Sequence, residues 1–318
     1  MVRDLCLFRV TGHGSRIMRY IEFEKIAETV ESLCIAAGHE LPPDVLAALQ
    51  QAAQKESNPG AAKIIKKLIE NARIAKAESI PLCQDTGLAV VFVEQGAQVA
   101  VKPPAGDGDA TLFDAINAGV KAGYEKGYLR KSVVAEPLKE RRNTGPVPPN
   151  AKEYVWGTPS NTPAVIHHII VPGRKLKLTV ITKGGGCENK SRFRMFRPTA
   201  EEKEIIDWVV DVVKTAGADA CPPFVVGVGI GGNFETSCLL SKKALLRNLA
   251  AKNSDEFYAQ LEADLLSAVN ALDLGPQGLG GDTTALACLV EAAPCHIASL
   301  PVAVNIECHS HRHKSAVI

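Results

Sequence analysis

Residues 220–232 read ACPPFVVGVGIGG and decide which fold class the sequence predicts. The run 224–230 is apolar and β-branched, as in a buried strand. Residues 227–232, GVGIGG, match G-x-G-x-x-G. This pattern opens the helix of a dinucleotide-binding unit. Such a unit needs a second strand after that helix, ending in an acidic residue about 20 residues on. Here a helical pattern over 235–250 runs into another over 254–272, and Asp255 ends no strand. We therefore predict an α+β (mixed α/β) fold and keep a nucleotide-dependent oxidoreductase as an alternative.

The patterns on either side of this stretch place helices first and strands later. Helical spacing covers 20–38, a second helix opens at Pro42-Pro43-Asp44, and a third follows Asn58-Pro59-Gly60. Two short strands are predicted around Gly96. Further strands are predicted at 165–171, 176–181 and within the apolar run 297–306, and further helices at 109–126 and 201–216. This order predicts a helical N-terminal region followed by a mixed sheet with packed helices.

The chain boundaries are interpreted from composition. Residues 1–19 carry basic residues but no apolar core of a secretory signal, and we interpret them as a disordered leader or a start-site artefact. Residues 20–318 form the functional domain, with a subdomain boundary near the Pro/Gly/Asn-rich stretch 143–161. The residues after Cys308 are expected to form a polar tail.

The overall composition excludes several classes of partner. The formal net charge is +1, so nothing in the charge balance favours binding to nucleic acid or to an anionic membrane. No apolar stretch reaches the roughly 18 residues that a membrane span needs. The cysteine count of nine is odd, and without an export signal it favours reduced thiols in a cytoplasmic protein over a disulfide framework.

Two segments combine polar residues with sharp turns. The first, PLCQDTG (81–87), groups a thiol, an amide, a carboxylate and a hydroxyl between a helix and a strand. A turn closed by an Asx-type hydrogen bond at Asp85 would explain it without a ligand. The second, TKGGGCENKS (182–191), has three glycines that let the backbone approach an anion closely. A flexible hairpin is the alternative, but Lys183 and Lys190 flank the glycines as they would to hold a carboxylate.

Further cysteines lie at the ends of predicted elements. Pro222 and Pro223 fix the backbone just after Cys221, which suits a metal ligand but also any sharp turn. Cys308 ends the last strand and is followed by His309, His311 and His313. The alternating histidines suggest zinc, whereas their place in a polar tail favours a solvated segment or a subunit contact. No C-x-x-C pair exists, yet three distant thiolates can converge on a cubane cluster and leave one iron open as a Lewis acid.

Taken together, six segments resemble the class I, iron–sulfur-dependent fumarate hydratase and L-tartrate dehydratase family, in its α-subunit form. They are PLCQDTG (81–87), LRKSVVAEPL with RRNTG (129–145), KGGGCENKS (183–191), ACPPFVVGVGIGG (220–232), GPQGLGGDTT (275–284) and HIASLPVAVNIECHSHRHK (296–314). The resemblance implies a [4Fe–4S] cluster held by Cys83, Cys221 and Cys308. It also implies catalytic roles for Asp85 and His296. Substrate contacts are expected from Gln84, Arg130, Gly184, Gly185, Gly186 and Lys190.

The resemblance also implies a reaction and a partner. The expected reaction is the reversible hydration of fumarate to L-malate, with dehydration of L(+)-tartrate as the alternative. Cys187 stands where many fumarases have serine and is closer to tartrate dehydratases, whereas residues 188–191 and the run ending at Cys308 are closer to fumarase. Single-chain members carry a second domain, so we expect a β-type subunit to supply it, in a homodimer of αβ units. A non-catalytic cluster carrier is a third hypothesis.

Overall fold

A computed structural model describes residues 18–145 and 159–318 and shows an α+β fold. The helices are α1 (Phe23–His39), α2 (Pro43–Lys55), α3 (Pro59–Glu78), α4 (Leu112–Lys126), α5 (Gly185–Glu188), α6 (Glu202–Ala216), α7 (Phe234–Ala244) and α8 (Glu256–Asn270). The strands are β1 (Arg19–Glu22), β2 (Leu88–Gly96), β3 (Val99–Lys102), β4 (Val165–Val171), β5 (Leu176–Lys183), β6 (Arg192–Phe196), β7 (Phe224–Gly231), β8 (Ala285–Ala293), β9 (Leu300–Glu307) and β10 (His313–Val317). Within these described ranges, no helix has the length and apolarity to cross a bilayer.

The first four-stranded sheet has the order β10-β5-β2-β4. Strand β2 pairs antiparallel with β5 and parallel with β4, so it lies between two strands that follow each other in the sequence. Helices α1 and α4 cover one face of this sheet, and their apolar side chains share a core with those of β2 and β5. Burial of these side chains, at roughly 25 cal/mol per Å² of apolar surface, is the main contribution that holds the helices on the sheet.

The second four-stranded sheet has the order β6-β9-β7-β8. Its central strand β7 is buried along its whole length, as the apolar run predicts. Helices α6 and α8 pack on one face of the sheet and share its largest core. The end of α7 packs on the other face, where Ala244 and Leu245 contact Val225. This strand is therefore sandwiched between helices, which explains why it shows no alternation of polar and apolar residues.

The glycines of β7 have a packing role. A Cβ on Gly227 would lie 2.0 Å from the Ser241 carbonyl oxygen, and one on Gly229 would lie 2.1 Å from that of Ser237. Both acceptors belong to α7, so only glycine lets this helix approach the strand so closely. The predicted succession of two helices without an intervening strand is confirmed, because α8 follows α7 and Asp255 caps its first turn. The G-x-G-x-x-G pattern is thus explained without a nucleotide.

The structure confirms the first three predicted helices and corrects other boundaries. Helix α1 begins at Phe23 because the preceding residues form β1, which pairs parallel with β3. Helix α7 ends at Ala244 rather than at 250. Strands β6 and β8 were not predicted, since β6 is a short edge strand with two arginines and β8 is rich in helix-favouring alanine. Of the proposed leader only Met18 and Arg19 lie within the described residues, and 146–158 of the proposed boundary lie outside them.

The prediction of a polar C-terminal tail is wrong. Residues after Cys308 return along the first sheet, where β10 pairs antiparallel with β5. Ser310, His311 and Arg312 are 0–2% exposed, so this segment is interior rather than solvated. Burial lowers the pKa of His311 to about 4, which keeps its ring neutral near pH 7. The polar residues of this stretch give no sign of a strand, because its pairing partner β5 lies far away in the sequence.

Strand direction brings four loops to the same end of the two sheets, namely those before β2, after β5, before β7 and between β9 and β10. In the first sheet, β2 and β10 begin where β5 ends, as the pairs Leu88 with Lys183 and His313 with Ile181 show. In the second sheet, β7 begins where β9 ends, with Val225 opposite Glu307. The two sheets are tied together there by a 2.8 Å hydrogen bond from Lys183 Nζ to the Ile306 carbonyl oxygen. The ends of these strands carry the motifs that the sequence singled out.

Candidate metal and substrate site

Buried hydrogen bonds from the protein interior hold the loop that carries Cys83 in place. Tyr124, fully buried on α4, donates from its hydroxyl to the carbonyl oxygens of Thr86 (3.0 Å) and Gly87 (3.2 Å). The amide of the buried Asn161 donates to the same Gly87 oxygen at 3.1 Å. Neither residue was predicted to support the site, because a lone tyrosine or asparagine far away in sequence carries no local signal. Together they fix the backbone on which Cys83 and Asp85 stand.

Gly87 is the point where this loop meets the glycine-rich loop. Its φ is +61°, and a Cβ there would lie 1.9 Å from the Lys183 carbonyl oxygen. Any other residue would therefore push the two loops apart. Thr86 adds a third attachment, since its hydroxyl donates to the Arg130 carbonyl oxygen at 3.0 Å. This bond places the backbone of Arg130 beside the Cys83 loop, while the Arg130 side chain itself is exposed.

Asp85 links the Cys83 loop to the three glycines. Its Oδ2 accepts a 3.1 Å hydrogen bond from the Gly186 backbone N–H, and its carbonyl oxygen accepts a 2.8 Å bond from Arg312 Nη2. A Cβ on Gly184 would lie 3.3 Å from the same carboxylate oxygen, so the glycines leave room for this side chain. The structure therefore brings Asp85 together with Gly184–Gly186. A carboxylate and backbone donors now occupy one small space, where a second carboxylate could compete for the N–H groups.

Cys221 lies on a turn whose conformation is fixed by its neighbours. A single 3₁₀ turn leads into it, and the residue itself is left-handed, with φ 56° and ψ 66°. The Pro222 carbonyl oxygen accepts two 2.8 Å hydrogen bonds from Gln277, one from its backbone N–H and one from its side chain. The Cys221 carbonyl oxygen accepts a 3.2 Å bond from the His309 N–H. The segment 275–284 thus supports Cys221, and the last bond ties the turn to the end of β9.

Cys308 and Cys187 form a buried pair of thiols. Their sulfurs lie within 4.8 Å of each other, and this contact is the main reason why the pKa of Cys308 is lowered and that of Cys187 is raised. The Cys187 thiol itself donates to the Ala220 carbonyl oxygen at 3.7 Å. Groups next to a ligand sulfur tune how strongly that sulfur donates to a metal. Cys187 is thus placed beside a predicted ligand, which its position in the sequence did not indicate.

The three predicted cluster ligands are close enough for the charge of one thiolate to shift the pKa of another. Burial raises the pKa of Cys83, and the charge of Cys308 raises it further. Burial likewise raises the pKa of Cys221, followed by the charges of Cys308 and Cys83. A shared cationic centre would relieve Cys83 and Cys221, whose ionisation the charge of Cys308 opposes. Thiolates are also the ligands that iron–sulfur clusters require, so the chemistry of this donor set fits the cluster that the family resemblance implies.

A buried guanidinium next to these thiols supports the same interpretation. Arg312 is 2% exposed, and its Nε and Nη1 have no hydrogen-bond partner among the described residues. Its charge acts to lower the pKa values of Cys83 and Cys308. A buried cation with unused donors is costly unless negative charge lies nearby. Ionised ligands around a cluster would supply that charge.

Lys183 has a different position from the one its sequence suggested. Its side chain is 0% exposed and turned inward, where Nζ lies 3.3 Å from Glu188 Oε2 and 3.7 Å from Glu307 Oε2. Burial alone would lower the pKa of Lys183, but the carboxylate of Glu307 and neighbouring charges raise it overall. The ammonium is therefore committed to internal carboxylates and is not available to a substrate. Lys190 forms an ion pair with Asp219 at 3.2 Å and remains near the Cys221 turn.

His296 is the predicted site residue that the fold does not bring to the thiols. It is exposed in the loop between β8 and β9, where its Nδ1 accepts a 3.1 Å hydrogen bond from the Ala298 N–H. Cys308 follows the opposite end of the eight-residue strand β9. At about 3.3 Å per residue, the strand separates the two by roughly 23 Å. Gln84, in contrast, is exposed directly beside Cys83, with 3.4 Å between its Oε1 and the thiol sulfur.

Comparison with known proteins identifies relatives along almost the whole chain. The sequence profile described as "Fumarate hydratase (Fumerase)" matches residues 27–317. A protein of Methanocaldococcus jannaschii named "Putative L(+)-tartrate dehydratase subunit alpha" is 37% identical over 289 residues, which cover 91% of this chain and 95% of that protein. The Escherichia coli K12 protein named "L(+)-tartrate dehydratase subunit alpha" is 30% identical over 295 residues, covering 92% and 91% of the two chains. The matched range includes every motif described above.

Proposed function

The chain belongs to the fumarate hydratase (Fumerase) family, and from that premise we propose that it is the cluster-binding α-type subunit of an iron–sulfur hydro-lyase. The observation that carries this proposal is the convergence of Cys83, Cys221 and Cys308 at one end of two sheets. Asp85 and the glycine loop lie in the same place. An iron–sulfur hydro-lyase needs these two elements together, namely a Lewis acid for the substrate hydroxyl and groups that orient the substrate and move its proton.

The proposed substrate is a four-carbon dicarboxylate, with fumarate and L-malate as the reacting pair. L(+)-tartrate is the second candidate. It is favoured by the names of the relatives and by Cys187, which stands where many fumarases have serine. L-Malate and L(+)-tartrate differ by one hydroxyl group. A site that hydrogen-bonds that hydroxyl discriminates strongly against a substrate lacking it, so a direct comparison of rates decides between them.

The cluster would be held by the thiolates of Cys83, Cys221 and Cys308 and would supply a Lewis acid for the substrate hydroxyl when bound. Asp85 moves a proton between its carboxyl group and that hydroxyl, and the bond from the Gly186 N–H fixes the orientation of the carboxyl group. The N–H groups of the glycine loop bind one substrate carboxylate. Arg130 binds the other, since a guanidinium can hold a carboxylate through two hydrogen bonds.

The remaining groups come from other chains in this proposal. A β-type subunit supplies the base that removes the carbon-bound proton, together with further carboxylate ligands; the relatives named as alpha subunits support such a partner. His296 lies at the far end of β9, so it serves the site of a second αβ unit rather than its own. This arrangement gives the proposed homodimer of αβ units a catalytic role.

The deciding experiment is anaerobic reconstitution with iron and sulfide in the presence of the β-type partner, followed by rate measurements on L-malate and on L(+)-tartrate. Cys83→Ser, Cys221→Ser and Cys308→Ser should each abolish both the cluster absorption and the activity. Cys238→Ser, a half-buried thiol on α7, is the matched control and should retain both. A chain that binds the cluster but shows no activity on either acid with the partner present would be a cluster carrier instead.

The role of His296 is tested by mixing variants. His296→Ala and Cys83→Ser should each be inactive alone. When the two are mixed so that subunits exchange, mixed dimers contain one site with an intact cluster and an intact histidine, and part of the activity should return. Absence of any recovery in a mixture shown to have exchanged subunits would contradict the assignment of His296 to the second unit.

A further inference from the structure

The buried end of β9 contains a second set of metal-binding atoms. One ligand atom from each of Cys187, Glu307 and Cys308 lies within 4.8 Å of the other two, and all three residues are buried. They come from two segments, the short helix α5 and the end of β9. Neither Cys83 nor Cys221 belongs to this group. It therefore shares only Cys308 with the proposed cluster ligands.

Glu307 gives an independent indication that a cation belongs here. The residue is 2% exposed, and its Oε2 has no hydrogen-bond partner among the described residues. Among the residues that the structure describes, the cation closest to this oxygen is Lys183 Nζ, at 3.7 Å, beyond hydrogen-bonding distance. A buried carboxylate oxygen without a donor is costly. A metal ion bound to Oε2 would satisfy it.

The charges around the group can accommodate a divalent ion. Two thiolates and one carboxylate carry three negative charges, of which a divalent cation neutralises two. The buried ammonium of Lys183 interacts with all three of these groups and balances the third. The structure thus provides a complete set of compensating charges for one M²⁺ ion at this position.

We propose that Cys187, Glu307 and Cys308 form a mononuclear site for a thiophilic divalent cation of the zinc class when the cluster is absent. Two sulfurs and one carboxylate oxygen are typical zinc ligands, and a water molecule completes the tetrahedron. At bond lengths of about 2.3 Å to sulfur and 2.0 Å to oxygen, ligand atoms lie roughly 3.3–3.8 Å apart. Small side-chain rotations are enough to reach this spacing. Magnesium and calcium are disfavoured because they select oxygen ligands.

The shared use of Cys308 makes the ion and the cluster mutually exclusive. A chain that has bound zinc cannot offer Cys308 to iron, so zinc prevents cluster assembly until it is removed. This competition rests on the proposed function, whereas the mononuclear site itself does not, because it needs only the two thiols and the carboxylate. The two sites share Cys308 but otherwise depend on different cysteines, Cys187 for the ion and Cys83 and Cys221 for the cluster.

The test uses the full-length chain, purified without oxygen and freed of iron with a chelator. Cobalt(II) is titrated as a zinc-like probe, and thiolate-to-cobalt charge-transfer absorption reports sulfur ligation. We expect binding of about one cobalt per chain, and zinc should displace it. Cys187→Ala and Cys308→Ala should weaken binding by at least roughly a hundredfold, since loss of even an outer-shell partner costs about 10–100-fold. Glu307→Gln should weaken binding without reducing the charge-transfer intensity at saturation.

Cys83→Ala and Cys221→Ala are the matched controls, because they cannot assemble the cluster yet should bind cobalt as tightly as the unchanged chain. Cys187→Ser keeps the volume of the side chain and should halve the charge-transfer intensity, which separates lost ligation from misfolding. Unchanged binding in Cys187→Ala, or loss of binding in Cys83→Ala equal to that in Cys308→Ala, overturns the proposal. Cobalt binding that follows the predicted pattern in a chain that never gains a cluster would sustain this site while refuting the proposed function.

Discussion

Replacing Lys183 by methionine should cost about 3–5 kcal/mol of unfolding free energy, the range for removing one partner of a buried ion pair. Its side chain is 0% exposed, and its ammonium lies 2.8 Å from the Ile306 carbonyl oxygen as well as 3.3 Å and 3.7 Å from two carboxylates. Methionine fills a similar volume but removes the charge. Glu188 keeps Lys242 as a partner, whereas Glu307 loses its closest cation. The loss would amount to a large part of a typical total of about 5–15 kcal/mol.

The assay is equilibrium urea unfolding of the metal-free chain at pH 7. Lys203→Met is the matched control, because the Lys203–Asp207 pair lies on the surface with both side chains more than 60% exposed, and exposed pairs contribute about 0–1 kcal/mol. Adding Glu307→Gln to Lys183→Met should recover about 0.5–3 kcal/mol, the coupling expected for residues in contact. If Lys183→Met is no more destabilising than Lys203→Met, the view that this buried pair stabilises the junction of the two sheets is wrong.

Three other expectations concern packing, pH and loop support. Gly229→Ala places a Cβ 2.1 Å from a backbone oxygen of α7 and should destabilise the chain in thermal melts by about 1–3 kcal/mol or more. The control Gly108→Ala meets no atom within 4 Å and should be nearly neutral in the same melts. The pKa of His311 is about 4 because of burial, against an ordinary value of 6.5, so the folded state binds fewer protons between these values. Stability should therefore fall as pH drops from about 6.5 to 4, by an amount on the order of 3 kcal/mol, and the slope of unfolding free energy against pH should flatten in His311→Gln. Tyr124→Phe removes two buried hydrogen bonds to the Cys83 loop and should lower the unfolding free energy by about 1–2 kcal/mol, with a larger relative loss of catalytic rate. Tyr128 is 83% exposed, so the control Tyr128→Phe should change neither the stability nor the rate.

The sequence predicted those elements whose signals are local. Helix α3 begins where Pro59 follows Asn58, and the Asn58 side chain accepts hydrogen bonds from the next free N–H groups, at Gly60 and Ala61. These interactions join residues two or three positions apart, so the letters alone reveal them. The buried strand β7 was predicted for the same reason, since a continuous apolar run needs no knowledge of its neighbours.

The residues of the candidate site could be selected from the sequence, but not arranged. Cysteine, aspartate and glycine at the ends of elements indicated where chemistry might occur. Their support could not be predicted, because Tyr124, Asn161 and Gln277 hold these loops through hydrogen bonds that span tens of residues. The contact between Cys187 and Cys308 has the same origin. Such contacts leave no spacing pattern in the chain.

By itself, the sequence determined the fold class, the family and the side chains that carry the proposed chemistry. The tertiary structure alone decided that β2 lies between β4 and β5 and that the histidine-rich end of the chain leads into a strand of the same sheet. It also decided that Lys183 faces inward and that His296 lies at the far end of β9. The physical reason is the range of the interactions. Capping and apolar periodicity act between near neighbours, whereas strand pairing and charge burial depend on which distant segments can pack together with all their polar groups satisfied.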